Sequence, residues 1–194
     1  MTLRVDLAQI AEWVAPGSRV LDLGCGDGSL LAHLRDAKSC HGYGVEIDDD
    51  HVARCIKVGL NVVQQNLDAG LRLFADNMFD TVVLSQTLQA MRNVEGILRE
   101  MARVARQGIV SFPNFGHWRH AISLLAGRMP VNRQIPYQWY DTPNIHLCTL
   151  KDFEILASKV GLTITARSVL AEGRPVNVLP GLRSTLAVYR FETR

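Results

Sequence analysis

The stretch VLDLGCGDGSLL, residues 20–31, decides the fold of this chain. The short apolar run that contains its first half, 18–24, is typical of a buried parallel strand, and Leu30, Leu31 and Leu34 continue as one face of a helix. Three glycines at GxGxG spacing lie between the two. Glycine lets the backbone turn sharply and lets a ligand approach it closely. The pattern therefore predicts a strand–turn–helix unit with a ligand at the turn.

Three carboxylates narrow down the ligand at this turn. Glu46 follows Gly26 by 20 residues, at the end of the next predicted strand, where an acid binds ribose hydroxyls. Asp22 and Asp27 lie before and within the loop, where they would repel the pyrophosphate of a dinucleotide. S-adenosylmethionine fits better, because it carries a sulfonium and an ammonium group and no phosphate. The pattern D-x-G-x-G-x-G resembles the cofactor loop of class I methyltransferases.

Strands and helices alternate along the rest of the chain. Strands are predicted at 18–24, 42–47, 61–65, 79–85, 109–113, 162–170 and 184–192. A helix from Leu3 to Val14 precedes the first strand, and Gly108 is expected to end a helix that begins after Asn93. Only a short Gly/Pro loop separates the last two strands, which favours an antiparallel return. We expect an α/β, Rossmann-like fold: a doubly wound, mostly parallel seven-stranded sheet with an antiparallel last strand.

Residues 114–148 fit this alternation least well. A helix is predicted from Trp118 to Ala126, followed by irregular chain with several prolines and aromatic residues. A long insertion of this kind inside a compact domain is often a lid or a binding loop. The alternative is a surface excursion that covers the edge of the sheet. We expect one domain, 1–194, with 114–148 as its lid or insertion segment.

Composition excludes several classes of protein. The 194 residues are 47% hydrophobic and carry a net charge of +2, without the basic excess of most nucleic-acid binders. No apolar run approaches the roughly 18 residues of a membrane helix. The four cysteines form no CxxC pair, so a metal site is not expected. We expect a cytoplasmic protein that binds neither nucleic acid nor a membrane.

Further candidates follow the third and fourth predicted strands. Asp68 lies where class I methyltransferases hold the adenine amino group, although a helix cap is the alternative for this residue. Ser85 begins the stretch that this superfamily places near the methyl group. His117 or His120 could serve as a general base. Their three-residue spacing puts both on one helical face, but such spacing also occurs by chance. No Asn/Asp-Pro-Pro-Tyr or Pro-Cys signature is present, so the catalytic residue stays unidentified.

Three sequence motifs taken together closely resemble one family within the class I methyltransferase superfamily. VLDLGCGDGSLL, FDTVVLSQTLQAM and above all PYQWYDTPNIH, residues 136–146, are similar to the methionine biosynthesis protein MetW family over about residues 3–192. The resemblance implies a class I methyltransferase fold that binds S-adenosylmethionine or S-adenosylhomocysteine. It also implies a role beside homoserine O-acyltransferase, called MetX. The sequence leaves open whether the protein is a cofactor-binding partner of that enzyme or an active methyltransferase on a small acceptor.

Twelve positions are expected to contact the cofactor through the glycine loop and the ends of the second, third and fourth strands. They are Asp22, Gly24, Cys25, Gly26, Asp27, Gly28, Glu46, Ile47, Asn66, Leu67, Asp68 and Ser85. Cys25 is expected to do so through its backbone alone.

Overall fold

The molecule has a central sheet with helices on both faces. The structure is a computed structural model that describes residues 3–132 and 135–193. The strands are β1 (Arg19–Leu23), β2 (His41–Glu46), β3 (Asn61–Gln64), β4 (Phe79–Ser85), β5 (Ala105–Pro113), β6 (Leu162–Ala171), β7 (Arg174–Pro175) and β8 (Leu186–Thr193). The helices are α1 (Val5–Trp13), α2 (Ser29–Lys38), α3 (Asp49–Lys57), α4 (Val94–Val104), α5 (Trp118–Leu125), α6 (Leu150–Lys159) and α7 (Pro180–Arg183).

The strands lie in the order β3-β2-β1-β4-β5-β8-β6-β7. The pairs among β1 to β5 are parallel, and β8 pairs antiparallel with both β5 and β6. The expected Rossmann-like sheet and its antiparallel last strand are confirmed. Leu23 is level with Val45 and with Leu84, so the carboxyl ends of β1, β2 and β4 share one edge of the sheet. Ligands of such sheets bind at this edge.

Two details of the predicted sheet are wrong. It has eight strands rather than seven, because Glu172 and Gly173 turn at positive φ and fold Arg174–Pro175 back onto β6. A two-residue strand that contains proline gives no pattern in the sequence. Gly108 does not end a helix: α4 stops at Val104, and Gly108 lies within β5. A Cβ on Gly108 would collide with the Phe191 ring, so the glycine makes room for a core side chain.

The helix caps follow the sequence closely. Asp48 accepts a hydrogen bond from the His51 N–H at the start of α3, and Asn93 caps α4. Thr149 and Asp152 form a capping box at the start of α6. Such caps bind the backbone N–H groups left free at a helix start, which is why short polar motifs locate helices well.

The buried side chains divide between the two faces of the sheet. Leu21 and Val82 pack in one apolar cluster with α4 and α6, whereas Val20 and Val83 pack in the other with α1 and α2. Successive strand residues point to opposite faces, so one continuous apolar strand contributes to both clusters. This double burial fixes β1 and β4 rigidly beneath the loops at their carboxyl ends.

Candidate functional site

The glycine loop between β1 and α2 holds all three glycines at positive φ. Gly24, Gly26 and Gly28 lie at φ +70°, +56° and +75°, which side chains disfavour. A Cβ on Gly24 would lie 2.7 Å from the Thr87 Oγ1, and one on Gly28 would collide with Leu60. A Cβ on Gly26 would meet no atom within 4 Å. The loop is therefore packed on two sides and open at Gly26, where a ligand can approach the backbone.

Glu46, the last residue of β2, turns its buried carboxylate onto this loop. Its Oε2 accepts a hydrogen bond from the Gly26 N–H at 2.7 Å. Its Oε1 accepts from the N–H groups of Ile47, at 2.8 Å, and Asp48, at 3.1 Å. Three backbone donors thus fix the carboxylate, while an ionised carboxylate offers about four acceptor positions. The acid expected beside the loop lies there, with capacity left on Oε2 for one more donor.

Asp22, in β1 directly before the loop, is a buried carboxyl group that receives no hydrogen bond from the described residues. Burial raises the pKa of Asp22 to about 7; nearby Arg4 opposes the rise and Glu46 adds to it. Near neutral pH the group is therefore divided between its acid and its carboxylate form. A cation bound beside it would favour the carboxylate.

The other two side chains of the loop turn to local partners. The Cys25 Sγ lies 4.0 Å from the Cys55 Sγ and in a space that a Cβ on Gly44 would fill. Burial raises the pKa of the Cys25 thiol well above its usual range, which leaves it unreactive. Asp27 accepts a hydrogen bond from the Ser29 N–H at 3.1 Å, at the start of α2. The structure thus gives Asp27 a capping contact, and only the backbone of Cys25 is available to a ligand.

The far side of the same edge is formed by residues after β2 and β3. Ile47 leaves an apolar side chain 60% exposed there. Asn66 caps the turn after β3 by accepting from the Asp68 N–H, and Leu67 is buried beneath it. The Asp68 Oδ1 accepts from the Arg92 N–H at 3.0 Å. Asp68 is therefore not the cap of this turn, and its second carboxylate oxygen accepts nothing from the described residues.

Ser85, at the end of β4, belongs to a hydrogen-bond network rather than to the glycine loop. Its Oγ donates to the Asp6 Oδ2 at 2.9 Å and accepts from the Arg4 Nη2 at 3.1 Å. The Gln86 Nε2 donates to the same Asp6 oxygen at 2.8 Å, and Ser111 Oγ lies 3.1 Å from Ser85 Oγ. The network ties α1 to the carboxyl ends of β4 and β5.

Asp6, with Arg4 and Ser111, is a candidate site residue that the sequence does not predict. It is only 2% exposed. Burial opposes its ionisation, but Arg4 and the hydrogen bonds from Arg4, Gln86 and Ser85 outweigh burial and hold the pKa of Asp6 below its usual range. An acid one helical turn before the buried Ile10, on the core face of α1, was the available signal.

The backbone directly after β4 is strained. Gln86 has φ +50°, a conformation that costs a residue with a side chain about 1 kcal/mol or more. Its N–H donates to the Ser111 O at 2.9 Å, which holds it in this conformation. One turn later, the Gln89 Oε1 is buried without a hydrogen-bond partner among the described residues. The strained backbone of Gln86 and the unpaired oxygen of Gln89 mark residues 86–89 as a candidate functional site.

A cavity of about 1240 Å³ opens beside this network. Arg4, Asp6 and Gln86 form one wall, and the 114–148 segment contributes Trp118 and Tyr137 among others. The glycine loop and Glu46 do not line it, but Gln86 does, and the next residue, Thr87, packs against Gly24, so the cavity adjoins the expected cofactor groove. It is large enough to hold a second small molecule.

His117 and His120 of the segment line this cavity, but both have structural partners. The Nδ1 of His120 lies 3.0 Å from the Phe115 O, and its Nε2 lies 2.6 Å from the Asn132 Nδ2. The Nδ1 of His117 accepts from the Arg119 N–H at the start of α5. Burial, with His120 and Arg119 nearby, lowers the pKa of His117. In each ring the nitrogen that accepts a hydrogen bond is already engaged, so neither is placed to take a proton from a ligand as a general base does.

Two kinds of feature are absent from residues 3–132 and 135–193. They contain no group of three or more His, Cys, Asp or Glu side chains placed to hold a metal ion. They also contain no helix that is both long enough and apolar enough to cross a bilayer.

Comparison with known proteins identifies one family over nearly the whole chain. The family model described as methionine biosynthesis protein MetW matches residues 4–191. A curated relative, the bifunctional methionine biosynthesis protein MetXA/MetW of Rhodopirellula baltica, is 38% identical over 176 residues. The match covers 84% of this chain and 28% of that relative, so the chain spans under a third of the relative's length.

Solved structures share the fold at low sequence identity. An S-adenosylmethionine-dependent methyltransferase from Mesorhizobium loti superposes with a TM-score of 0.74 at 16% identity, covering 97% of this chain and 98% of that one. The [4+2]-cyclase SpnF superposes with a TM-score of 0.71 at 16% identity, covering 96% and 80%. A methyltransferase and a cyclase on one fold illustrate that this fold does not determine the reaction.

Proposed function

This chain belongs to the methionine biosynthesis protein MetW family, and from that premise we propose that it binds S-adenosylmethionine or S-adenosylhomocysteine and acts together with homoserine O-acyltransferase, MetX. The proposal includes a cytoplasmic location, where thiols stay reduced, since all four cysteines are free. The observation that carries the cofactor part is the open face of the glycine loop at Gly26, with Glu46 fixed beside it.

The residues at the loop fit this cofactor chemically. The Glu46 carboxylate has one acceptor position left for a ribose hydroxyl. Asp22 is buried without a donor, and a cationic ammonium group would supply one. The exposed Ile47 side chain offers an apolar face to a base, and the free oxygen of Asp68 offers an acceptor to its amino group. The remaining loop and rim positions would contribute backbone contacts and packing.

The charges at the glycine loop also favour S-adenosylmethionine over a ligand that carries a phosphate. Two carboxyl groups, Asp22 and Asp27, flank the loop, and an anion at this place would meet repulsion rather than the positive end of a helix alone. When bound, S-adenosylmethionine supplies an electrophilic methyl group. The chain's own contribution is to hold the cation beside Asp22 and the ribose beside Glu46.

The acyltransferase part of the proposal is supported by the Rhodopirellula relative. That relative is a bifunctional MetXA/MetW protein, and this chain matches 28% of its length. Two proteins that are fused in one organism are often partners when they occur as separate chains. The size of the remainder leaves ample room for an enzyme beside the MetW part.

Calorimetry with S-adenosylhomocysteine tests cofactor binding. The Glu46→Ala variant should bind more weakly by about 1–3 kcal/mol, the range for lost hydrogen bonds to a charged group. Glu12→Ala removes an exposed carboxylate outside the groove and should bind as the wild type does. Equal affinity of Glu46→Ala and the wild type would contradict the ribose assignment.

Copurification and rate assays test the partnership. The full chain should copurify with the homoserine O-acyltransferase of the same organism and change its rate of acyl transfer. If the two proteins neither associate nor affect each other's rate, the partnership is wrong.

A second function, methyl transfer to a small acceptor, is favoured by the 1240 Å³ cavity. The cavity lies beside the strained Gln86 at the end of β4, and proximity and orientation alone can supply much of the rate of a methyl transfer. Accumulation of S-adenosylhomocysteine from S-adenosylmethionine only when an acceptor is added would support this function. Gln86→Ala should then reduce that rate without changing the affinity for S-adenosylhomocysteine.

A further inference from the structure

Exposed apolar side chains are concentrated in one stretch of the chain. Of the 22 large apolar side chains that the described residues leave exposed, 11 lie between residues 118 and 147. Leu125 is 88% exposed, and Trp139 and Tyr140 are each 71% exposed. Those two aromatic rings contact each other edge to face, with centroids 5.7 Å apart. We refer to the exposed side chains of residues 118–147 as the 118–147 surface.

The 118–147 surface leaves a large aromatic area in water. Its four aromatic side chains, Trp118, Tyr137, Trp139 and Tyr140, are 43% to 71% exposed. At about 200 Å² per aromatic side chain, they alone leave about 450 Å² of ring surface in water. The largest apolar patch of a typical monomer is about 300–600 Å² and is often functional, and a standard interface buries about 800 Å² on each side. The seven exposed aliphatic side chains of the 118–147 surface add to the area of the rings. Tryptophan and tyrosine are also the side chains that contribute most to binding.

The charges on the 118–147 surface favour a partner other than a second copy. Arg119 and Arg128 are exposed, and Asp141 is the only acid among residues 118–132 and 135–147. A symmetric dimer through this surface would place the same patch against itself and bring like charges together. A complementary partner would present an apolar patch with an acidic rim.

The Rhodopirellula relative indicates which partner this is. In that relative MetXA and MetW form one bifunctional protein, and about 72% of its length lies outside the match to this chain. Fusion gives two domains a high effective concentration, in the millimolar range for short linkers. Where the two parts occur as separate chains, the same association comes from the affinity of a surface.

From these observations we infer that the 118–147 surface docks the homoserine O-acyltransferase. This inference rests on the partnership proposed above and adds the place of contact. The surface is distinct from the glycine loop, which leaves the cofactor groove free in the complex. The acyltransferase would bury the exposed rings of Trp139 and Tyr140 and place acidic side chains near Arg119 and Arg128.

Binding of the purified full chain to the purified acyltransferase tests the inference by calorimetry or biolayer interferometry. One variant combines Trp139→Ser with Tyr140→Ser, and a second, Leu125→Ser, changes the surface at α5. The control combines Ile56→Ser with Ile155→Ser, which are 63% and 58% exposed and lie outside the surface. Circular dichroism and S-adenosylhomocysteine affinity verify that each variant is folded.

The expected result is that both surface variants bind the acyltransferase at least about tenfold more weakly, while the control stays within about twofold of the wild type. If the wild type binds and the surface variants bind equally well, the docking surface is wrong but the partnership stands. If the wild type itself does not bind at about 100 µM, the partnership is wrong and the docking surface with it. A wild-type chain that dimerises alone, and loses the dimer on Trp139→Ser and Tyr140→Ser, would assign the surface to self-association and overturn the inference.

Discussion

Replacing Asp22 by asparagine should stabilise the ligand-free protein and weaken its cofactor binding. Burial raises the pKa of Asp22 from 3.8 to about 7, so the folded protein binds a proton there that the unfolded chain releases. The contribution of this group to stability is therefore complete below about pH 4 and falls as the pH rises to about 7. Asparagine does not ionise, so it avoids that loss.

The size of the effect follows from the shift in pKa. A difference of about 3 pKa units, at about 1.4 kcal/mol each, sets a ceiling of about 4 kcal/mol at pH 8. The buried amide still needs hydrogen bonds, so we expect a gain of about 1 to 3 kcal/mol. For a chain of this length each kcal/mol raises the melting temperature by roughly 2–4 °C.

Urea denaturation of the ligand-free protein at pH 5 and pH 8 measures this gain. The advantage of Asp22→Asn over the wild type should be larger at pH 8 than at pH 5. Asp141→Asn, at an exposed acid, should show no such difference between the two pH values. Affinity for S-adenosylhomocysteine at pH 8 should fall by about tenfold in Asp22→Asn, the value of one charged hydrogen bond.

A variant that is no more stable than the wild type at pH 8 would refute the claim that burial raises the pKa of Asp22. A variant that is more stable but binds the ligand equally well would refute the assignment of the ammonium group to Asp22. The two measurements thus test the electrostatics and the ligand placement separately.

Three further changes probe the loop, the sheet and the network. Gly26→Ala should lower the affinity for S-adenosylhomocysteine more than tenfold in calorimetry, and should lower stability by roughly 1 kcal/mol in urea unfolding. Gly17 also has positive φ and no atom within 4 Å of an added Cβ. Gly17→Ala is therefore the control: it should cost the same stability but leave the affinity unchanged. Gly108→Ala should lower stability by about 1–3 kcal/mol in urea unfolding, because the new methyl group collides with the Phe191 ring. Asp6→Ala removes the acceptor of the Ser85 hydroxyl and the Gln86 amide, and should lower stability by about 1–3 kcal/mol. Hydrogen exchange in α1 should become faster in this variant. Unchanged exchange in α1 would contradict the idea that Asp6 anchors this helix.

Much of the candidate cofactor groove could be predicted because it depends on short sequence separations. A glycine loop is recognisable since its backbone conformations are barred to other residues, and Glu46 is found by counting one strand and one helix onward. The sequence predicts Asp68 just after the third strand, where it lies, but gives no sign of its hydrogen bond to the Arg92 N–H. Whether these residues contact the cofactor stays a prediction.

The cavity wall could not be predicted in the same way. Ser85 and Asp6 are 79 residues apart, and Ser111 and Asp6 are 105 apart. Their contact depends on where α1 packs against the sheet, which no local pattern encodes. Gly108 illustrates the same limit, because its role is set by the Phe191 ring on a strand at the far end of the chain.

The sequence by itself determined the alternation of strands and helices, the glycine loop and the acids beside it, because each is fixed by backbone sterics and by residues within about one supersecondary unit. Only the tertiary structure decided that Glu46 turns inward onto the Gly26 amide, that Asp22 is buried without a donor, and that Asp6 closes the network at β4. Those features come from desolvation and from contacts between distant segments, which exist only after the sheet and its helices have packed.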